Sequence, residues 1–266
     1  MKKRIDLRLV EAGFFPSREQ AQRAIIAGLV RVNGKRIEKP GQTVDEAAEI
    51  TLAAVAEAYV SRGGYKLAKA LTEFNLVVKG RYCLDAGAST GGFTDCLLQA
   101  GAAHVDAVDV GYGQLAWKLR QDPRVTVWER QNIRYFPKES LERAPGLITA
   151  DLSFISLELV FGKFKELIEP GGDLVTLIKP QFEAGRGKVG KKGVVRDRRV
   201  HLEVLRRLSE NAPLKGWHLV NLTYSPILGP EGNIEYLGHW REESADVIDP
   251  EAVVNTAWHD LLRKPD

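Results

Sequence analysis

Only two cysteines, Cys83 and Cys96, and one methionine, Met1, occur in 266 residues. Two thiols cannot form the disulfide framework of a small secreted domain, and nothing in their placement argues for a metal site. They read as reduced core thiols. Long apolar runs are also missing: none reaches the roughly 20 residues a membrane span requires. The basic start Met1-Lys2-Lys3-Arg4 leads into the amphipathic Ile5-Asp6-Leu7-Arg8-Leu9, which is not a signal-peptide core. These absences predict a cytoplasmic protein with no membrane partner and no metal. The net charge of +3 is too small to name a partner by itself. A hydrophobic content of 44% with 27% charged residues is that of a soluble globular protein, long enough for one large domain or a large and a small one.

The charge that is present is unevenly spread. Residues 1–43 carry ten Lys and Arg against four acids, and residues 186–207 carry nine against two. Two basic segments in one chain point to a polyanion, because phosphate contacts supply most of the affinity for nucleic acid.

The most informative stretch runs from Leu84 to Asp95, as Leu84-Asp85-Ala86-Gly87-Ala88-Ser89-Thr90-Gly91-Gly92-Phe93-Thr94-Asp95. It follows an apolar strand and opens a helix, the junction at which open α/β sheets bind ligands. A second strand, His104–Val108, ends in Asp109, about the right distance on to accept hydrogen bonds from a ribose. The glycines depart from the dinucleotide GxGxxG pattern, and Asp85 would repel a pyrophosphate. A cationic, phosphate-free ligand such as S-adenosylmethionine fits better than a nicotinamide. The residues expected to hold it are Asp85, Gly87, Ser89, Gly91, Gly92, Asp109, Asn132 and Asp151, with Asn132 either receiving the adenine amino group or only capping a turn.

Further strands read at 125–128, 147–150, 174–178, 217–222 and 234–240, with a helical pattern from Leu157 to Ile168. Seven strands in this order suit an open, mostly parallel sheet. Asp151 follows the fourth strand, Lys179 the fifth, and Glu235 falls in the last. Exocyclic-amine methyltransferases carry a different motif after the fourth strand, and neither cysteine is placed for carbon-5 methylation of a pyrimidine.

Residues 4–57 read as a separate unit. Leu7, Leu9 and Val10 share a helical face that Gly13 ends, and Ser17 caps a second helix that Gly28 ends. Leu29–Val32 is a strand before an Asn33-Gly34 hairpin turn. Ser17-Arg18-Glu19-Gln20-Ala21, Val30-Arg31-Val32-Asn33-Gly34 and Lys39-Pro40 resemble the αL RNA-binding domain of the fourth small-subunit ribosomal protein and of pseudouridine synthases. That resemblance implies an RNA grip through Arg4, Arg18, Arg23, Lys35 and Arg36. Boundaries are expected at 1–58 for this domain, 59–65 for a linker with a flexible Gly63-Gly64 joint, and 66–266 for the catalytic domain. So short a linker predicts that the two domains present one continuous surface, with Arg62, Lys188, Lys191, Lys192 and Arg196 adding phosphate contacts.

Lys66, Asp151, Lys179 and Glu235 match the Lys-Asp-Lys-Glu tetrad of ribose 2′-O-methyltransferases that resemble FtsJ. Ser61-Arg62-Gly63-Gly64-Tyr65-Lys66-Leu67, Asp151-Leu152-Ser153-Phe154-Ile155-Ser156-Leu157, Lys179-Pro180-Gln181-Phe182-Glu183 and Gly193-Val194-Val195-Arg196-Asp197 are similar to the TlyA family, which joins both domains. The resemblance implies a Rossmann-like, seven-stranded S-adenosylmethionine-dependent methyltransferase fold with a small N-terminal α+β RNA-binding domain. It also implies 2′-O-methylation of cytidine in 16S and/or 23S ribosomal RNA, and ribosomal RNA or ribosomal subunits as partners. No obligatory protein partner is expected. Lys179 is expected either to take the ribose proton, with Lys66 as the neighbouring charge, or to position the hydroxyl while water takes the proton. Asp151 and Glu235 would orient the amine and the ribose. The rival expectations are a non-catalytic ribosome-assembly factor and a haemolysin, a label that family often carries. The tetrad and glycine loop argue against the first, and the lack of a signal or a spanning run argues against the second.

Overall fold

The computed structural model describes residues 2–15, 17–26, 29–37, 39–52, 58–185, 187–190, 193–244 and 248–262. The chain divides into two compact units, Met1–Ala58 and Tyr59–Asp266. Gly28, Lys191 and Lys192, which carried sequence expectations, lie outside the described residues, as does the side chain of Arg23.

In the first unit, β1 (Lys2–Arg4) leads into α1 (Ile5–Glu11), which ends as Gly13 turns at φ 76° and Phe14 N–H reaches Leu9 O. α2 (Arg18–Ile26) starts after Ser17, whose Oγ accepts from Gln20 N at 3.3 Å. β2 (Val30–Val32) and β3 (Lys35–Arg36) form a hairpin through Asn33 and Gly34, both at positive φ as a type I′ turn demands. β4 (Thr43–Asp45) pairs with β1, and β5 (Ile50–Leu52) pairs with β2. Ile5, Leu9, Ala21, Ile25 and Val30 fill the small core.

The second unit runs α3 (Gly63–Glu73), β6 (Tyr82–Ala86), α4 (Gly92–Gln99), β7 (His104–Val108), α5 (Trp117–Arg120), β8 (Val125–Trp128) and β9 (Leu147–Ala150). It continues through α6 (Phe161–Leu167), β10 (Asp173–Ile178), α7 (Pro180–Glu183), α8 (Arg198–Asn211), β11 (His218–Tyr224), β12 (Tyr236–Arg241) and α9 (Pro250–Leu262). The seven strands lie in the order β11-β12-β10-β9-β6-β7-β8, parallel from β10 to β8, with β12 antiparallel to both of its neighbours. β9 and β10 are buried along their whole length, as expected of strands covered on both faces. Leu67, Ala70, Phe93 and Leu97 from α3 and α4 pack into one core. Phe161, Phe164, Val204 and Val254 from α6, α8 and α9 pack into the other.

Two sequence expectations change. Glu235 lies just before β12 instead of within the last strand. Residues 59–65 are no loose joint, because Gly63 and Gly64 form the first turn of α3 within the second unit. Val60 N–H donates to Asp95 Oδ2 at 2.8 Å, and Tyr59 sits edge-on to Tyr65. The glycines serve close packing: a Cβ on Gly92 would stand 2.3 Å from Ser61 Oγ and 2.9 Å from Gly64 N. Gly92→Ala should therefore lower stability by about 1–3 kcal/mol in urea denaturation, as overpacking does. An unchanged midpoint would show that α3 and α4 have room to separate.

Candidate active site

The carboxyl ends of β6, β7 and β9 are stitched together at one level. Gly87 N–H donates to Val108 O at 2.8 Å, and Asp151 N–H donates to Ala86 O at 2.9 Å. Gly87 turns at φ 83°, and a Cβ there would lie 2.6 Å from Asp151 O. The glycine is thus needed first for the approach of β9, before any ligand arrives. Gly91 caps α4 in the left-handed region at φ 97°. Ser89, also left-handed at φ 48°, donates its N–H to Asp109 Oδ2 at 2.8 Å, and Gly111 N–H reaches Asp109 Oδ1 at 2.6 Å. A carboxylate offers about four lone-pair positions, so Asp109 retains acceptor capacity for ribose hydroxyls.

Asp85 departs from the expected ligand contact. It is fully buried beneath the loop, with Thr94 Oγ1 donating to Oδ2 at 2.7 Å and Thr149 Oγ1 to Oδ1 at 3.2 Å. Burial pushes its pKa up to about 7, the nearby Asp151 charge adds to that rise, and the two hydroxyl bonds oppose it. Asp85 shapes the turn from below. The two threonines that hold it were not singled out from the sequence, where nothing marks a hydroxyl as facing a carboxylate.

Above this floor lies a cleft of ≈ 710 Å³ lined by Gly87, Ser89, Asp109, Asn132, Asp151 and Phe154, among others. Its size is that of a small-molecule site. Asn132 caps the turn, its Oδ1 accepting from Arg134 N at 3.0 Å, and it also lines the cleft. Asp151 Oδ1 is buried and lacks a hydrogen-bond donor among the described residues; Lys179 Nζ is 2.6 Å away, in an ion pair whose angle is not that of a hydrogen bond. An acidic oxygen with lone-pair capacity to spare, beside a ribose-competent carboxylate, fits a ligand with an amino group and a sulfonium, as in S-adenosylmethionine.

The four tetrad residues form two pairs. Lys179 Nζ lies against Asp151 and donates to Ser153 Oγ at 2.9 Å. Lys66 Nζ donates to Glu235 Oε2 at 2.6 Å, and both side chains are buried. β10 and β12 pair Ile178 with Tyr236, so Lys179 and Glu235 stand at the next step of the same ladder. Phe154 was missed as a separate feature. It is 90% exposed at φ 65°, and its ring lies 4.9 Å from that of Phe182.

The expected RNA contacts are distributed differently from a simple reading of charge. Arg4 and Arg18 both bond the buried Asp6, whose pKa falls well below the usual carboxylate range chiefly through Arg4. Lys35 and Arg36 are exposed on β3. Arg62 donates to Leu228 O at 2.8 Å. Lys188 pairs with Glu203, Arg199 with Asp197, Arg206 with Glu251 and Arg207 with Glu158. Glu251 and Glu158, from distant segments, offset two of the cations counted at 186–207, while Arg196 is exposed.

The Asp85 carboxyl has a consequence for stability. Its folded pKa of about 7 exceeds the ordinary 3.8, so the stability it contributes is full below pH 3.8 and is lost as pH rises to about 7. Asp85→Asn should flatten the dependence of the urea midpoint on pH across this window. A wild-type slope retained in the variant would assign the effect to another group.

Comparison with known proteins bears on the whole chain. Residues 59–241 match the FtsJ-like methyltransferase model, and residues 3–50 match the S4 domain. The 16S/23S rRNA (cytidine-2′-O)-methyltransferase TlyA of Mycobacterium tuberculosis is 48% identical over 234 residues, covering 88% of this chain and 87% of that one. Hemolysin A of Brachyspira hyodysenteriae is 44% identical over 242 residues, covering 89% and 99%. A structure described as a hemolysin from Streptococcus thermophilus superposes with a TM-score of 0.78 at 45% identity, covering 97% and 96%. The chain belongs to the TlyA family, in which an S4 domain precedes an FtsJ-like, S-adenosylmethionine-dependent methyltransferase domain.

Proposed function

We propose that this methyltransferase modifies the ribose 2′-hydroxyl of a cytidine in ribosomal RNA, on 16S or 23S rRNA within ribosomal subunits in the cytoplasm. The observation that carries the reading is the pair of lysine–carboxylate contacts, Lys179–Asp151 and Lys66–Glu235, at the ends of adjacent strands. A ribose hydroxyl is a weak nucleophile, and what it needs from the protein is alignment and an exit for its proton.

When bound, S-adenosylmethionine supplies an electrophilic methyl group. Gly87, Ser89 and Asp109 at the ends of β6 and β7 would hold it, together with Asp151. Lys179, set by Asp151 and Ser153, keeps an N–H for the ribose oxygen and positions it, while the proton that the hydroxyl loses on methyl transfer leaves to water. Glu235 and Lys66 neutralise each other beside it and fix the ribose edge. The S4 unit brings the RNA, with Arg4 and Arg18 held side by side on Asp6 as guanidinium contacts to phosphate.

The 2′-O reading over an alternative lytic role rests on this site. Among the described residues no helix is long and apolar enough to cross a membrane. The deciding assay is transfer from labelled S-adenosylmethionine to unmodified 30S and 50S subunits, with the site mapped by mass spectrometry. A ribose-methylated cytidine is expected, and no transfer despite cofactor binding would refute the substrate. In the same assay Lys179→Ala should abolish transfer while cofactor affinity changes by less than about tenfold, or 1.4 kcal/mol; equal loss of both would break the role given to Lys179. Deletion of residues 1–57 should leave cofactor binding and remove subunit methylation. Undiminished methylation would deny the S4 unit its recruiting part.

A further inference from the structure

The segment Lys179-Pro180-Gln181-Phe182-Glu183 ends in a carboxylate that the tetrad does not use. Glu183 is 4% exposed, and burial raises its pKa against the bonds that it accepts. Its Oε2 accepts from Ser156 Oγ at 2.7 Å and its Oε1 from Leu157 N at 2.8 Å. Arg207 of α8 donates to Glu183 O at 2.7 Å and lies 3.4 Å from Oε2. Ser156 in turn caps the short turn at Leu157–Leu159.

These contacts close a ring. One side is the loop from Asp151 to Leu157, and the other runs from Lys179 to Glu183. At one end the two are joined by Lys179 with Asp151 and Ser153, and at the other by Glu183 with Ser156 and Leu157. Phe154 and Phe182 face each other between the two ends. Phe154 holds a left-handed backbone at φ 65°, a costly conformation for a bulky side chain that persists only where its surroundings over-determine it. The Lys179 end alone, on a flexible amine, cannot fix such a loop. The buried carboxylate at the far end can, because it binds a backbone N–H and a hydroxyl on adjacent residues.

We propose that Glu183 is a positioning residue for methyl transfer: through Ser156 and Leu157 it fixes the 151–157 loop, and with it the placement of Asp151 against Lys179. The proposal rests on the tetrad reading above. Glu183 touches neither cofactor nor RNA and acts only through the loop. Gln at this position keeps a carbonyl for Leu157 N, and the Ser156 hydroxyl can reverse to accept from its amide. Ala leaves Leu157 N–H buried and unpaired.

The test is steady-state methylation of ribosomal subunits by full-length Glu183→Ala and Glu183→Gln beside wild type and Lys179→Ala, with cofactor Kd and melting midpoint measured on each. Glu183→Ala is expected to lower kcat by about 10²-fold, the loss a displacement near 1 Å can cause, with KM for subunits and cofactor Kd changed by less than about threefold. Glu183→Gln should recover most of the lost kcat. Retained kcat in Glu183→Ala, or a loss matched by cofactor Kd and not relieved by Gln, would overturn the proposal. If Glu183→Ala fails to fold, Ser156→Ala takes its place, with a smaller kcat loss at constant KM expected and an unchanged kcat overturning the idea. Turnover in Lys179→Ala would refute the tetrad reading itself; its absence together with an active Glu183→Ala would refute only the positioning role.

Discussion

A carboxylate taken out of water must find donors, and several buried acids of the second unit take theirs from other elements of the fold. Asp85 draws in Thr94 of α4 and Thr149 of β9. Asp173 gathers Arg81, His239 and Arg241; burial works against its charge, but the bonds from His239 and Arg81 bring its pKa below the usual value. Glu235 holds Lys66 of α3, and Glu183 holds the loop after β9. Each such group costs free energy if one partner is removed, which makes these cross-links specific as well as strong. The catalytic end of the sheet is shaped by this requirement more than by any single motif residue.

Sheet register supplies the rest of the alignment. The parallel strands β6 and β9 pair Ala86 with Ala150, and antiparallel β10 and β12 pair Ile178 with Tyr236. Gly87, Asp151, Lys179 and Glu235 then fall one step beyond the paired residues. A slip of one residue in β12 would turn Tyr236 out of the core and carry Glu235 away from Lys66, so burial of Tyr236 and Trp240 protects the site's geometry. Lys66 arrives from the other direction because Gly63, Gly64 and Gly92 let α3 lie directly on α4.

Much of this was legible in the sequence, because the signals were local. Strands covered on both faces appear as short apolar runs, and 104–108, 125–128 and 147–150 were each readable as they stand in the sheet. The Asn33-Gly34 turn and the Ser17 cap were equally plain. What escaped depended on partners distant in the chain. Gly63-Gly64 looks like a joint until Tyr59 and Gly92 are seen against it. Asp85 looks like a ligand contact until Thr149 is placed beside it. The basic run at 186–207 looks uncompensated until Glu158 and Glu251 are brought to Arg207 and Arg206. Glu183 had no visible role because its partners lie 26 and 27 residues earlier.

The distribution of charge in the second unit sorts a cationic cofactor from a polyanionic substrate. Asp109 and Asp151 face the cleft, and Asp85 lies beneath it, so the interior favours a sulfonium and an amino group over phosphate. Lys179 meets Asp151 at 2.6 Å, and Arg134 lines the same cleft as the two acids. At physiological salt the field of an exposed charge fades within about 8 Å, so acids and bases this close together create separate subsites within one opening. The acidic floor disfavours a phosphate, and the cations beside it leave an opening that is not uniformly of one sign. On the function proposed above, electrostatics of this kind would select the orientation of the RNA, and the tetrad would act on the hydroxyl that orientation presents.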